Sequence, residues 1–190
     1  MLRRMSDDFP PDDLIRRAGL PQGLVTLLDA FPRAEWGGDP RFGGLAAFWL
    51  DRHLAFRDLL ARMAGDAEAV AEGRLDPEAW RGRLARMGNH LVQDLLGHHQ
   101  IEDDAYFPQM QRLEPRLARG FDLLDADHHA LDGLLRGFVA GANAALTAKA
   151  AREGALRFHA GLVPFTHSLT RHLEDEEDLI IPVILKHGMG

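Results

Sequence analysis

Two pairs of histidine and glutamate with identical spacing are the residues in this chain best suited to metal chemistry. His98 precedes Glu102 by four positions, His172 precedes Glu176 by four, and a proline follows each glutamate after six residues. On a helix, side chains four positions apart project from one face and lie one turn apart. Imidazole nitrogens and carboxylate oxygens projecting from facing helices are the ligands with which helix bundles hold pairs of metal ions. The repeated pair therefore predicts two facing helices with a two-metal site between them.

The composition limits the classes of protein to which the chain can belong. Its 190 residues suffice for one domain with a substantial core, and 46% hydrophobic with 27% charged residues is usual for a soluble globular protein. A net charge of −7 disfavours a nucleic-acid partner. The absence of cysteine excludes disulfides, iron–sulfur clusters, thiolate zinc sites and cysteine nucleophiles, but it leaves a site of histidines and carboxylates open.

No segment of the sequence has the character of a signal peptide or a membrane span. Residues 1–8 include two arginines, but no apolar stretch follows them. The longest apolar run, residues 179–185, is far shorter than the roughly 20 residues that cross a bilayer. We therefore expect a cytoplasmic protein without a membrane partner.

Apolar residues recur at helical spacing along most of the chain, and no segment shows the alternation of a strand. Four long helices with short connections are typical of an all-α, antiparallel up-down-up-down four-helix bundle. Asp76, Pro77 and Glu78 form a helix start, with an N-cap, a proline at the first helical position and an acid in the first turn. Gly65 and Pro108 are expected to end or bend the first and second helices. The predicted helices span residues 42–64, 76–107, 117–146 and 149–185.

Residues 1–40 differ from the rest of the chain because they are rich in proline, glycine and aspartate. We predict that they form an arm packed against the outside of the main domain, which spans residues 41–190. No pair of ionisable residues with a useful spacing occurs in the arm, so the sequence assigns it no part in the chemistry. None of the outer helix faces is apolar enough to require a dimer, which fits a monomer, and no protein partner is indicated.

Each predicted helix carries one histidine at a position where its apolar stripe requires an inward side chain. The first and second of these histidines are 45 residues apart and the third and fourth 44, so the two halves of the chain repeat one pattern. The four inward histidines are His53, His98, His128 and His172. The other six lie off the stripes or far from the site, and we expect them to be solvated or locally hydrogen-bonded: His90, His99, His129, His159, His167 and His187.

Several neighbours of the inward residues have two open interpretations. His129 replaces His128 if the register of the third helix shifts by one residue, although the apolar stripe favours His128. Asp94, one turn before the second inward histidine, either holds an imidazole N–H or is solvated. Asp132 joins the site if it turns inward. The acidic run at residues 174–178 is expected to face solvent apart from its one inward glutamate.

Burial of four imidazoles and two carboxylates in a leucine-rich core is very costly without a compensating partner. A metal supplies that partner, and the alternative is a buried histidine–glutamate hydrogen-bond network without metal. Ligands of this kind without thiolate suit iron or manganese, and zinc is compatible. Six side chains are too many for one tetrahedral zinc, but they fit two ions, each bound by two histidines, with both glutamates as bridges. Coordination positions then stay open for water, an oxo or hydroxo bridge, or O₂.

In order and spacing, these motifs resemble the hemerythrin-like, HHE cation-binding family over about residues 42–186. Each motif alone is weak, but the ordered set is specific. The motifs are Arg52-His53, His98-His-Gln-Ile-Glu102 before Phe107-Pro108, Asp127-His128-His, and His172-Leu-Glu-Asp-Glu176 before Ile181-Pro182. The resemblance implies a non-haem centre with two iron ions. Its implied ligands are His53, His98, Glu102, His128, His172 and Glu176.

The resemblance also implies a function, namely binding or sensing of a small diatomic ligand such as O₂ or NO, or the handling of iron. Oxygen-carrying members have a further histidine one turn after the ligand of the third helix, where this chain has Asp132. Members that repair iron centres resemble the set of four histidines and two glutamates more closely, but they often carry a cysteine-containing N-terminal segment. One alternative is a di-iron enzyme acting on peroxide, O₂ or NO, and another is a metal-free structural bundle.

Overall fold

The computed structural model describes residues 13–189 and shows an all-helical chain, as the sequence predicts. The part of the predicted arm before residue 13 lies outside the described residues. Two short 3-10 helices in the arm, Gln22–Leu24 and Arg33–Gly38, precede the first long helix. Within the described residues no strand occurs, and none of the helices is long and apolar enough to cross a membrane. The α-helices are α1 (Gly44–Ala71), α2 (Pro77–Ile101), α3 (Phe107–Leu113), α4 (Ala118–Thr147) and α5 (Ala151–His187).

The four long helices form a bundle in which each contacts two others. Both α1 and α4 pack against α2 and α5. Two groups of buried apolar side chains fill the interior: the larger includes Phe56 and Phe165, and the smaller, which the arm covers, includes Trp36. Along α1 and α4 the change from one group to the other falls at His53 and His128. A polar layer of the predicted metal ligands therefore separates the two apolar groups.

Helix α1 continues seven residues past its predicted end at residue 64. Gly65 was expected to close this helix, and that prediction is wrong. Ala67 and Val70 are 1% and 5% exposed, and they extend the buried stripe that contains Met63. The apolar contacts of this face outweigh the cost of one glycine in a helix, which is about 1 kcal/mol relative to alanine.

The start of α2 and the end of α5 follow the local chemistry of their sequences. The Asp76 carboxylate accepts a hydrogen bond from the Ala79 N–H at 2.9 Å, which confirms the predicted N-cap. The C-cap of α5 is Gly188, whose φ of 60° lies in the left-handed region that glycine adopts without strain. The Met189 N–H then donates to the Ile184 carbonyl at 3.1 Å. Both ends are therefore set by a few neighbouring residues.

A π turn over Glu102–Tyr106 joins α2 to α3 and replaces the regular helix predicted there. Such a turn accommodates one extra residue, so the side chains that follow it are rotated relative to those of a continuous α-helix. Ala105 is consequently exposed, although an uninterrupted stripe places it inside, whereas Phe107 is buried. Pro108 was expected to end or bend the helix. It does not end it, because it lies in the first turn of α3, directly after the π turn, where a missing N–H costs little.

The arm contributes side chains to both apolar groups of the interior. Leu14 is 3% exposed and belongs to the larger group, and Trp36 is 5% exposed and belongs to the smaller one. The Trp36 indole N–H donates to the Phe31 carbonyl at 2.7 Å, so the polar edge of this buried ring is satisfied within the arm. The described part of the arm therefore contacts the bundle on both sides of the polar layer.

Gly154, in the first turn of α5, is a position where an added methyl group should destabilise the fold. A Cβ atom here would lie 2.7 Å from the Ala148 Cβ and 3.4 Å from the Ala145 carbonyl oxygen, and neither neighbour can move by rotating a side chain. We expect Gly154→Ala to lower the free energy of unfolding by about 1–3 kcal/mol in urea denaturation, despite the higher helix propensity of alanine.

Gly161, also in α5, provides the matched control. Among the described residues, a Cβ atom at this position has no neighbour within 4 Å. Gly161→Ala should therefore raise the free energy of unfolding by about 0.5–1 kcal/mol through helix propensity alone. A stabilising effect of both substitutions would contradict the tight packing at Gly154.

Candidate metal centre

The six residues predicted as metal ligands come together in the polar layer of the bundle. Five of them are at most 4% exposed, and the sixth, His98, has a side chain that is 9% exposed. His99 joins them and is 6% exposed. Their ligand atoms form two groups, within each of which the atoms lie within 4.8 Å of one another. The two-histidine group is His53, His98, Glu102 and Glu176, and the three-histidine group is His99, His128 and His172.

The atoms of the two-histidine group have the spacing of ligands around one ion. The Nε2 atom of His53 lies 3.1 Å from Nε2 of His98 and 3.5 Å from Oε2 of Glu176. The Nε2 atom of His98 also lies 3.0 Å from Oε1 of Glu102. Adjacent ligands of a six-coordinate ion with bonds of about 2.1 Å are about 3 Å apart. These four side chains therefore match the edges of a single coordination polyhedron.

The three-histidine group is formed by imidazole rings in mutual contact. The His99 and His128 rings stack with centroids 3.9 Å apart and planes inclined by 10°, and the His172 ring lies edge-on to His128 at 4.8 Å. Within the described residues, none of the three Nε2 atoms has a hydrogen-bond partner. Buried nitrogen atoms without a hydrogen-bond partner are energetically costly, and a cation bound by all three would remove that cost.

The burial of His99 contradicts the expectation that it is solvated. Successive residues of a helix point about 100° apart, and α2 contacts α1 on one side and α4 on the other. His98 therefore faces His53 of α1, while His99 faces His128 of α4. A helix that packs against two others buries residues on two adjacent faces, so a single apolar stripe does not predict all of its buried positions. The polar layer consequently holds five histidines instead of the four predicted.

The alternative between His128 and His129 is decided by the register of α4. His128 is 4% exposed, whereas the His129 side chain is 75% exposed. The Nδ1 atom of His129 lies 2.9 Å from the Asp125 carbonyl oxygen, on the outside of the bundle. The apolar stripe of the third predicted helix thus indicated the inward histidine correctly.

Glu102 lies between the two groups and presents one oxygen to each. Its Oε1 atom is 3.0 Å from Nε2 of His98, and its Oε2 atom is 3.5 Å from Nε2 of His128. This carboxylate projects from the first residue of the π turn. This carboxylate would therefore offer one oxygen to a cation held by either group.

Glu176 also lies between the groups but presents only one oxygen to both. Its Oε2 atom is 3.5 Å from Nε2 of His53 and 3.4 Å from Nε2 of His172. Its Oε1 atom accepts a hydrogen bond from the indole N–H of Trp49 in α1. Trp49 therefore orients this carboxylate in addition to its contribution to the apolar interior.

Three of the five histidines are held from behind by carboxylates that accept a hydrogen bond from Nδ1. Such a bond fixes the tautomer and leaves Nε2 free to bind a metal. Each of these acids is adjacent in sequence to a predicted ligand, and that adjacency is the signal by which they could have been found. The pairs are His53 with Glu177 at 2.9 Å, His128 with Asp103 at 2.8 Å, and His172 with Asp127 at 3.4 Å.

The acidic run at residues 174–178, predicted to face solvent apart from Glu176, does so only in part, since the side chain of Glu174 is 43% exposed. Asp175 is fully buried and Glu177 is 4% exposed. Asp175 accepts a hydrogen bond from Arg17 at 2.6 Å, and Glu177 accepts one from Arg33 at 2.8 Å. The two arginines belong to the arm and lie more than 140 residues away in sequence, so only the folded chain brings them to these acids.

Asp94 and Asp132 lie outside the two ligand groups. Asp94 pairs with Arg52 at 2.8 Å and its side chain is 26% exposed, which favours the partly solvated interpretation. Asp132 lines a groove of about 380 Å³ between α2 and α4, together with Asp103 and the ligands His99 and His128. This polar groove connects the surface with the three-histidine group.

Burial opposes the charged form of three of these side chains. It lowers the pKa of His98 to about 3 and holds the pKa of His99 well below its ordinary value. Burial, reinforced by the negative charge of Glu176, raises the pKa of Glu102 well above its ordinary value. His98 and His99 are therefore ready to donate electron pairs, while burial favours the protonated form of Glu102.

His53 and His172 differ from the other two because carboxylates compensate their charge. Burial opposes the charged ring of His172, but Asp127 and Glu176 raise its pKa to about 9. Burial also opposes the charged ring of His53, and Glu176 and then Glu177 raise its pKa. Burial favours a neutral Glu176, but His53 and His172 hold its pKa well below the ordinary value. A bound metal would replace the protons on these rings, since it binds only deprotonated imidazole.

Six ligand atoms in the polar layer are buried and lack a hydrogen-bond partner among the described residues. Buried polar atoms are nearly always paired, so a cluster of unpaired ones requires an explanation. Imidazole and carboxylate ligands without thiolate suit iron or manganese, and the residues therefore fit a pair of such ions. The unpaired atoms are Nε2 of His99, His128 and His172, both carboxylate oxygens of Glu102, and Oε2 of Glu176.

A helical bundle with five histidines and two shared glutamates in its interior has the features of a metal-binding protein with histidine and carboxylate ligands. The chain matches the family described as the hemerythrin HHE cation binding domain over residues 44–184. It belongs to this family, which confirms the resemblance seen in the motifs. No curated protein and no solved structure matches the chain significantly.

Proposed function

We propose that this chain is a non-haem di-iron protein that binds or senses a small diatomic ligand such as O₂ or NO. The observation that carries the proposal is the set of six unpaired, buried ligand atoms in a layer of five histidines and two glutamates. Membership of a cation-binding family supports it independently. Mixed imidazole and carboxylate ligands favour iron, and manganese or zinc would be the competing ions.

The two groups of ligands differ in the number of donors that the protein supplies. If both glutamates are shared, the three-histidine group has five donors and the two-histidine group has four. The two-histidine group therefore leaves more coordination positions for a small ligand. A reduced di-iron centre with open positions supplies the electrons that bind O₂ or NO.

A di-iron enzyme acting on peroxide, O₂ or NO is the second candidate, and Asp103 favours it. The Asp103 side chain is 30% exposed, lies in the groove beside the three-histidine group, and bonds to Nδ1 of His128. A carboxylate in this position connects a ligand imidazole with solvent. Proton transfer of the kind that reduction of O₂ or peroxide needs would use such a connection.

The short connections between long helices support an antiparallel arrangement of the bundle. Residues 72–76 join α1 to α2, and residues 148–150 join α4 to α5. Connections of this length bring successive helices side by side in opposite directions. In that arrangement each pair of helices would present its ligands at one level of the bundle.

Elemental analysis and absorption spectroscopy of protein loaded anaerobically with iron(II) test the proposed function. We expect about two irons per chain and, after exposure to O₂, new ligand-to-metal absorption bands in the near ultraviolet. A ligand-binding protein regenerates the same two spectra when O₂ and argon are alternated. Continuous consumption of O₂ or peroxide identifies the enzyme instead, and one ion or none per chain overturns the di-iron proposal.

A further inference from the structure

Arg17 of the arm reaches the interior of the bundle and pairs with two buried acids. Its side chain is 2% exposed. One terminal nitrogen donates to Oδ1 of Asp127 at 2.7 Å, the other donates to Oδ2 of the same carboxylate, and Nε donates to Asp175 at 2.6 Å. Asp127 is the carboxylate that lies behind His172 of the three-histidine group. Arg17 therefore contacts the metal centre through one intervening side chain.

Arg33 of the arm has the equivalent relation to the two-histidine group. It donates to Oε2 of Glu177 at 2.8 Å, and the other oxygen of Glu177 lies 2.9 Å from Nδ1 of His53. Arg57 of α1 donates to that second oxygen at 2.8 Å. Two arginines of one arm thus hold the carboxylates behind one histidine in each ligand group.

An arginine in this position controls the direction of the imidazole that the carboxylate holds. The planar guanidinium of Arg17 binds both oxygens of Asp127 through parallel hydrogen bonds, which sets the carboxylate plane as well as its charge. Arg33 gives Glu177 one hydrogen bond and uses its other nitrogens for Asp178 and the Glu174 carbonyl. The carboxylate in turn sets the tautomer and orientation of the ligand ring, and loss of such outer partners commonly weakens metal binding roughly 10- to 100-fold. Arg17 and Arg33 precede residues 44–184, the segment that matches the family, so the family match does not account for them.

We propose that Arg17 and Arg33 are positioning residues that make the arm part of the metal centre. Arg17 orients His172 through Asp127, and Arg33 orients His53 through Glu177. Through these two contacts the arm slows the loss of metal from both ligand groups. The inference rests on the proposed function only in requiring that metal binds at this site.

Cobalt(II) is a suitable probe, because the metal alone reports on each ligand histidine. In proton NMR spectra of the cobalt-loaded protein, the Nδ1–H resonances of ligand imidazoles are strongly shifted and disappear in D₂O when they exchange. We expect Arg17→Met and Arg33→Met each to displace one exchangeable resonance, the first from His172 and the second from His53. Transfer of cobalt to excess EDTA should accelerate roughly 10- to 100-fold in Arg17→Met. The acceleration should be smaller in Arg33→Met, since Arg57 still holds Glu177.

An arginine of the arm that makes a comparable contact serves as the control. Arg41 donates to both oxygens of Asp39 within the arm, at 2.9 and 2.7 Å. In these contacts Arg41 does not bond to a carboxylate behind a ligand histidine. Arg41→Met should therefore leave the shifted resonances in place and the rate of cobalt loss within about twofold of the unmodified protein.

Arg17→Met leaves two acids buried without their cation, which could prevent folding. Arg17→Lys is therefore a second variant for the same test. Lysine keeps the charge but cannot bind both oxygens of Asp127 in parallel, so the His172 resonance should still move. Unchanged resonances and unchanged cobalt loss in the Arg17 and Arg33 variants would overturn the positioning role. Failure of the unmodified protein to bind cobalt would instead overturn the proposed function, so the two outcomes are distinct.

Discussion

Replacement of His99 by alanine should weaken the binding of one of the two metal ions by about tenfold or more. The three-histidine group then keeps His128, His172 and the shared glutamate oxygens, four donors instead of five, and a cavity open to the groove takes the place of the third ring. The two-histidine group keeps both of its histidines, so its ion should be bound as before. Elemental analysis after gel filtration in the presence of a competing chelator, with the absorption spectrum of the same sample, measures the loss.

His129→Ala is the matched control for this substitution, because His129 is the exposed member of the other His-His pair. It should keep about two irons per chain and an unchanged spectrum, since removal of an exposed side chain usually changes stability by less than about 0.5 kcal/mol. Full metal content in His99→Ala would show that His99 is only a packed core residue. The set of four histidines expected from the spacing would then be sufficient.

Metal affinity should fall steeply as the pH drops from 7.5 to 6. His172, with a pKa of about 9, holds a proton over this whole range in the protein without metal, and the pKa values of His53 and Glu102 are raised in the same direction. Such a proton must leave before the group binds an ion, so lower pH favours the metal-free form. Release of the His172 proton alone lowers the apparent association constant about tenfold per pH unit, and the raised pKa values of His53 and Glu102 should steepen this dependence, as measured by chelator competition at several pH values.

Glu102→Gln isolates the contribution of Glu102, because an amide does not titrate but keeps a carbonyl oxygen at the same place. The slope of the logarithm of the association constant against pH should be smaller than in the unmodified protein. Weaker binding with an unchanged slope would show that Glu102 is already ionised before metal arrives. A slope well below one in the unmodified protein would contradict the protonation of His172.

The spacing of histidines and glutamates was sufficient to predict the class of fold and the layer in which the ligands meet. Residues four apart share a helix face whatever the rest of the chain does, and an apolar stripe identifies the face that turns inward. For the same reason His128 was distinguished from His129 without coordinates, and Asp76 was recognised as an N-cap. These features depend on contacts within one or two turns of a helix.

His99 was missed because its burial depends on which helices flank α2. A sequence stripe describes one packing direction, whereas α2 packs against α1 and α4 and needs inward residues about 100° apart. The π turn after Ile101 had no signal in the apolar pattern either, and it moved Phe107 to the interior in place of Ala105. Both errors arise where the neighbouring helices determine which residues of a helix are buried.

The partners of the buried acids were likewise decided by the tertiary structure alone. Asp175 and Glu177 were expected to face solvent, and no partner was predicted for Asp127, because burial of an acid is stable only beside a cation that sequence spacing does not reveal. Their arginines come from the arm, 110 to 158 residues away. Helical periodicity, a local property, therefore determined the bundle and its inward ligands, whereas the pairing of charges over long distances required the folded chain.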